Sequence, residues 1–424
     1  MEFIELWDYF WFYFPLGIIG LWRWGVWTFK KILALFYKPI PVENCCNDLT
    51  LSIITPVYNE DPKLFKQALN SWQGQADEII AVIDETDKPC IEIFRDFAKD
   101  KPYAKMIVTS TPGKRPALAT GIRTAKSEIV ALVDSDTVWE KNIRSKLLAP
   151  FSNPKIGGVV TRQNCIEHRS IWQKITDIFW DLRNADEWPS QIAAGNVVTC
   201  LSGRTALYYR KVLLLKLDEF LNETILGKRK ESGDDKCLTR LIQKDGWHSY
   251  YQRNAQVYSS AAQDFRTFIK QRVRWTRNSY GSDITSLWEG WAWKHPFLAF
   301  YMIDRFISPF TLLLAPIYFC AAIYLNHWTI ALVIFCWWLL SRGVKIFPYL
   351  RRHPRDIWIL PIYTAVNFLT AVTKIYALVT IREQEWIRGS EERQDKKGIF
   401  NLALSVFFTG LIICGLAVIV IFGF

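Results

Sequence analysis

Apolar positions along the chain follow three rhythms, and each predicts a different kind of element. Residues 9–36 form one aromatic-rich apolar run, interrupted by Arg23 and closed by Lys30 and Lys31. Such a run can span a bilayer if Arg23 snorkels or faces other helices, or it can lie along the interface. From Leu49 the runs shorten. Residues 51–55, 78–83, 105–108 and 129–133 read as strands, and 62–72, 90–99 and 114–126 between them read as helices. Strand–helix alternation at this spacing predicts a mainly parallel, doubly wound sheet. Ligands of such sheets sit beyond the carboxyl ends of the strands, and Asp84 and Asp134 each follow a strand run directly.

The third rhythm is long and apolar, at 297–325, 328–347, 357–380 and 399–424. Only the last is free of charge, and 357–380 carries Pro361, Asn367, Thr370, Thr373 and Lys374. If the middle domain is cytosolic, 297–325 exits, 328–347 returns, and Arg351, Arg352 and Arg355 lie inside, as charge bias favours. A spanning 357–380 would place the charged stretch 382–397 outside, so 357–380 is expected to be interfacial or re-entrant. The expected organisation is a membrane helix and linker at 1–48, a cytosolic domain at 49–262, amphipathic interface helices at 263–296 and a channel region at 297–424.

Composition narrows the function classes. Hydrophobic residues make up 50% and aromatics 15%, with 20 Trp, which is rich for a soluble protein and fits the membrane reading. The net charge of +11 comes partly from Lys and Arg flanking apolar segments, a placement that suits membrane topology and not a nucleic-acid groove. The nine Cys form no CxxC pair or zinc spacing, and the vicinal Cys45-Cys46 is poorly placed for a structural disulfide. The N-terminus lacks a basic region and a small-residue cleavage site, so it is expected to be a retained anchor.

Four clusters carry candidate chemistry beside Ile83-Asp84-Glu85. Asp134-Ser135-Asp136 closes a strand, where two carboxylates can hold Mg²⁺ or Mn²⁺ against a diphosphate or simply cap a turn. Gly113-Lys114-Arg115 opens a helix, where a cation pair can hold phosphate oxygens or be solvated; no P-loop is present. Gly233-Asp234-Asp235 precedes a helical run and reads either as a cap or as a general base at the mouth of a site. In Gln271-Arg272-Val273-Arg274-Trp275, Trp can stack on a sugar and Arg can hold phosphate, or the segment can lie on a membrane surface.

In this order, the clusters resemble the membrane-embedded, processive family 2 glycosyltransferases, the hyaluronan, chitin and cellulose synthases. The likeness covers about residues 50–280 and the apolar C-terminal region. The stretches 111–115, 133–139 and 156–163 look most like type 3 capsular polysaccharide synthases. The resemblance implies a GT-A-like, doubly wound mixed α/β sheet in a cytosolic domain, with transmembrane and interfacial helices. It implies that Thr55, Pro56, Tyr58 and Glu60 begin a nucleotide site, with Asp84 and Asp134 on the uridine and Lys114 near the diphosphate. Asp136 would hold Mg²⁺ or Mn²⁺, and Asp235 would be the base. Ser202, Gly203, Arg204, Asp234, Gln271, Arg274 and Trp275 would frame the acceptor and diphosphate, with Arg204 facing a uronate carboxylate or serving the fold.

Two departures stand out. Asp84 lies in Ile-Asp-Glu-Thr and not in Asp-Asp-Gly, and Trp386-Ile387-Arg388-Gly389 only approximates the gating motif Trp-x-Thr-Arg. The implied partners are UDP-glucose, UDP-glucuronic acid or UDP-N-acetylglucosamine, a growing polysaccharide, membrane lipids and a second copy of the chain, without nucleic acid. The implied location is the plasma membrane, multi-pass, with a cytoplasmic catalytic domain. The nearest rival is a non-processive enzyme acting on a polyprenyl phosphate or ceramide; a transporter with a nucleotide-binding domain is a more distant one.

Overall fold

Apolar runs without polar alternation belong to strands covered on both faces, and three such strands lead to the site. The computed structural model describes residues 2–44, 48–225 and 227–383. Its strands are β1 (Leu51–Val57), β2 (Glu78–Asp84), β3 (Ala104–Thr109), β4 (Ile129–Leu132), β5 (Val138–Trp139), β6 (Ile156–Cys165), β7 (Ala206–Tyr209), β8 (Thr224–Ile225), β9 (Lys228–Arg229) and β10 (His248–Ser259). All but β8 and β9 form one sheet, in the order β3-β2-β1-β4-β7-β6-β10-β5. The half predicted from the strand–helix alternation, β3-β2-β1-β4, is parallel. β7 then runs antiparallel to both β4 and β6, which makes the whole sheet mixed.

The helices are α1 (Glu2–Leu35), α2 (Pro62–Trp72), α3 (Lys88–Ala98), α4 (Lys114–Thr124), α5 (Arg144–Leu148), α6 (Ile171–Leu182), α7 (Trp188–Gly195), α8 (Arg210–Leu221), α9 (Asp234–Lys244), α10 (Phe265–Trp288), α11 (Pro296–Tyr324), α12 (Trp328–Arg352) and α13 (Ile359–Val379). α2 starts at Pro62 behind the cap Asp61, whose carboxylate accepts from Lys63 and Leu64 N–H. It ends on Trp72, whose indole N–H donates to the Thr137 carbonyl at 3.0 Å and so pins the turn that carries Asp134 and Asp136. A π-helical turn, Arg183–Glu187, joins α6 to α7; such turns are frequent at functional sites.

α11, α12 and α13 are each long and apolar enough to cross a membrane, judged by length and composition. α13, expected as interfacial, thus meets the same measure as its neighbours and packs with α11 through Leu313, Ala371 and Ile375. Among the described residues, Leu332, Val333 and Leu340 on α12 are largely exposed, and Trp337 is half-exposed against Trp24. Arg23, the charge that interrupts the first apolar run, faces another helix: it pairs with Asp304 and donates to Thr311 on α11. Residues Cys45 and Cys46, the stretch with Trp386 and Arg388, and the last apolar segment lie outside the described residues.

Candidate active site

The carboxyl ends of β1, β2 and β4 converge, and the acidic clusters stand there. Asp84 ends β2, and its carboxylate accepts from Thr86 N–H and Oγ1 in a local turn. Thr55 is fully buried inside β1, Pro56 faces Val82 in register, and Tyr58 and Glu60 follow the strand. Glu60 accepts from Ser135 Oγ at 2.6 Å. Burial, with Asp136 and Asp134 close by, pushes its carboxyl up to about 7. Asp136 accepts from Ser259, at the end of β10, and from Ser260. This crowding of carboxylates, answered in part by Lys114, by the more distant Arg204 and Arg274 and by hydroxyls, fits a divalent cation. Asp136 and Glu60, which are close enough to interact, are oxygen donors that could hold one.

Lys114 is the junction of the site. Its Nζ stands 2.7 Å from Asp134 Oδ1 and 3.0 Å from Asp234 Oδ2. Burial opposes its charge, but Asp134 and Asp234 outweigh burial and hold the ammonium above its usual range. Burial likewise opposes the Asp134 carboxylate, while Lys114, Arg204 and Arg274 hold it below its usual range. Gly203 lies against all three: a Cβ there would be 3.2 Å from Lys114 Nζ and 3.4 Å from Asp134 Oδ1. Arg115, the second half of the expected cation pair, turns away instead. It is buried, and it donates to the carbonyls of Phe220 and Ser232 and to Glu223. It thus anchors the loop that leads into α9, and of the pair only Lys114 faces the acidic cluster.

Successive residues on a helix point about 100° apart, and the first turn of α9 uses this. Asp234 faces Lys114, while Asp235 faces a separate cavity of about 480 Å³. Gly233, with φ of 76°, caps the helix and packs on Asn278 of α10, so α9 and α10 share a fixed contact. α10 carries Gln271, half-buried, and brings Trp275 and Arg272 to the same cavity as Asp235. From there the cavity runs between the long helices, along Asp304, Arg305 and Ser308 of α11 and Asn367, Thr370 and Lys374 of α13. Asp304 and Arg305, adjacent in sequence, both line it.

Sequence reading missed part of this cavity. Arg183 lies in the π-helical turn and shares the Gln163 Oε1 acceptor with Arg204, which donates to it at 3.1 Å. The Arg204 guanidinium lies 4.1 Å from the Trp180 ring centre and 5.6 Å from that of Trp275. Arg272 lies 4.4 Å from Phe179 and 5.4 Å from Trp275. Among the described residues none of these three arginines forms an ion pair, and each keeps a buried Nε without a hydrogen bond. Burial, then mutual repulsion, lowers Arg183 to about 10 and Arg272 to about 9. Gln163 and Arg272 sit within stretches already singled out; Arg183 has no sequence signal, because only the π-turn aims it inward.

The family profile described as glycosyltransferase like family 2 matches residues 50–278, more than half of the chain. The chain belongs to that family. It is 26% identical over 384 residues to an N-acetylglucosaminyltransferase of Rhizobium meliloti (strain 1021), covering 85% of this chain and 88% of that one. It is 25% identical over 387 residues to the hyaluronan synthase of Streptococcus pyogenes, covering 88% and 90%. In fold it is similar to the mannosyltransferase PcManGT from Pyrobaculum calidifontis, solved in complex with GDP-Man and Mn²⁺. That likeness has a TM-score of 0.56 at 18% identity and covers 88% of this chain and 96% of the other. The mixed sheet of this family 2 glycosyltransferase is therefore GT-A-like, with three candidate membrane helices following it.

Proposed function

We propose that the chain is a membrane-embedded, processive, inverting glycosyltransferase that polymerises UDP-sugars into a β-linked extracellular polysaccharide and translocates it. The observation that carries this reading is the continuity of the cavity: it begins at Asp235 and Trp275 and ends between α11 and α13. A product formed at Asp235 has a polar path into the membrane helices and needs no second site. The hyaluronan synthase relative supports the polymer reading. The catalytic domain, residues 49–262, faces the cytoplasm of a multi-pass plasma-membrane protein, with 263–296 as its interface helices and 297–424 as its channel region.

In this proposal the nucleotide lies across the ends of β1, β2 and β4, by Tyr58, Asp84 and Asp134, and Lys114 faces the diphosphate. A divalent cation held by Asp136 supplies charge neutralisation for the leaving nucleotide. Asp235 accepts the proton of the acceptor hydroxyl, whose oxygen bonds to the anomeric carbon as the bond to the diphosphate breaks. Trp275 and Arg204 flank the acceptor, and Arg274 supports the diphosphate. Arg183, Arg204 and Arg272, none of which forms a direct ion pair among the described residues, favour an acidic sugar in the cavity, such as a uronate. The polymer is accordingly of the glucuronic acid and glucose capsule type, or hyaluronan-like.

The test is incubation of purified protein with labelled UDP- and GDP-sugars, singly and in pairs. High-molecular-weight product only from a pair that includes UDP-glucuronic acid is the expected result. A short, organic-soluble product would support transfer to a polyprenyl phosphate or ceramide and overturn the polymer reading. Asp136→Asn is expected to raise the Mg²⁺ or Mn²⁺ concentration for half-maximal transfer by at least about tenfold, on the scale of lost metal-site contacts. A metal titration curve unchanged from wild type would remove Asp136 from the cation site.

A further inference from the structure

Where the loop before α6 meets the end of α12, three ligating side chains that the transfer reaction does not use come together. His168 lies in the loop between β6 and α6, Asp177 projects from the middle of α6, and His353 caps α12. One donor atom from each falls within 4.8 Å of the other two, the one such trio of His, Cys, Asp or Glu among the described residues. Bonds of about 2.0–2.2 Å to one tetrahedral ion set ligand atoms roughly 3.3–3.5 Å apart. The donor atoms of the trio, all within 4.8 Å of one another, stand close to that spacing.

The surroundings are those of a ligand set and not of a simple ion pair. His168 Nε2 stands 3.0 Å from Asp177 Oδ2, yet the approach lacks hydrogen-bond geometry. The buried Nε2 has no hydrogen-bond partner among the described residues. The other carboxylate oxygen of Asp177 accepts from the Cys165 N–H at 3.3 Å, which fixes the carboxylate and leaves Oδ2 toward the imidazole. Outer contacts of this kind orient metal-binding groups. The His353 ring is held 4.8 Å from Tyr349 and 5.4 Å from His168. Tyr349 in turn donates to Asp356 at 2.9 Å, and Lys174 of α6 pairs with Asp356 at 2.6 Å. The Asp177 side chain is 7% exposed and that of His168 33%, so the trio is largely enclosed while the His168 imidazole stays accessible.

We propose that His168, Asp177 and His353 bind a divalent transition-metal ion of the Zn²⁺ class, with a fourth coordination position open. Two imidazoles and one carboxylate suit zinc, nickel or copper, whereas Mg²⁺ prefers oxygen ligands alone. The ion ties α6, whose far end carries Phe179 and Trp180 into the cavity, to the end of α12. It is a second metal site, separate from the carboxylates at the strand ends.

The test uses the full chain in detergent, stripped with chelator and then titrated with Zn²⁺ under saturating Mg²⁺. Wild type is expected to retain one zinc per chain after gel filtration and to unfold at a higher temperature with zinc than without. Co²⁺ in place of zinc should give the visible absorption of a low-symmetry, four-coordinate site. His353→Ala and the partly exposed His168→Gln should each weaken zinc binding by more than the roughly 10–100-fold that loss of an outer contact costs. Asp136→Asn should retain the zinc. Wild type without stoichiometric zinc, or zinc retained by both histidine variants, overturns the proposal. Zinc lost from Asp136→Asn instead would assign the ion to the strand-end carboxylates and overturn it as well.

Discussion

Asp235→Asn is expected to lower sugar transfer by about 10²–10⁴-fold, the usual contribution of a general base, while leaving nucleotide-sugar affinity largely intact. The replacement keeps the shape of the side chain and removes its capacity to accept a proton. The division of labour on the first turn of α9 makes the prediction sharp. Asp234 faces Lys114 and Asp134, beside the strand ends, whereas Asp235 lines the cavity on the other side. Asp235 Oδ1 also accepts from the Lys236 N–H at 2.7 Å, a contact that the amide oxygen of Asn can keep, so the helix start should survive. Donor binding by calorimetry and labelled-sugar incorporation separate the two effects. Retained polymerisation by this variant would remove Asp235 from the reaction.

The second large effect is structural and lies behind the site. Glu223 is buried between Arg115 at 2.6 Å, Arg240 at 3.1 Å and Lys230 at 3.7 Å. Glu223→Gln leaves three cations without their shared carboxylate. Breaking a buried pair in this way costs about 3–5 kcal/mol, a large part of the roughly 5–15 kcal/mol that holds a typical domain folded. It also loosens Arg115, which donates to the Ser232 carbonyl at 3.0 Å just before Asp234 and Asp235. Transfer should therefore fall together with stability.

The pH dependence has a definite sign. Burial opposes the Glu223 charge, but Lys230, Arg115 and Arg240 outweigh it and hold the carboxyl at about 2, against 4.5 ordinarily. A group lowered on folding stabilises the fold fully above its unfolded pKa, and the benefit is lost as pH falls toward the folded value. The melting-temperature gap between wild type and Glu223→Gln should be constant above about pH 5 and shrink below about pH 4.5. A gap that is absent at neutral pH, or that widens in acid, would contradict the charge network.

Much of the site was legible because its chemistry is short-range in sequence. Asp84, Asp134 and Asp136 are written at the ends of apolar runs, and a doubly wound sheet leaves few other places for a ligand. Arg115 shows where that reading stops. Beside Lys114 it is one of two adjacent cations at a helix start, and only the packing of α4 against α8 and the loop before α9 turns it inward. Arg183 and Gln163 were unreadable as site residues for the same reason. Their convergence on Arg204 requires β6, the π-turn and the loop before β7 to meet in three dimensions.

By itself the sequence determined the parallel half of the sheet, the carboxylates at its strand ends and the long apolar helices that follow. These depend on local hydrophobic period and on side-chain chemistry, which any stretch of chain carries within itself. Tertiary structure alone decided that Asp234 and Asp235 face different spaces, that three arginines share one cavity, and that this cavity continues between α11 and α13. Direction and enclosure are properties of packed elements distant in the chain, and no local pattern encodes them.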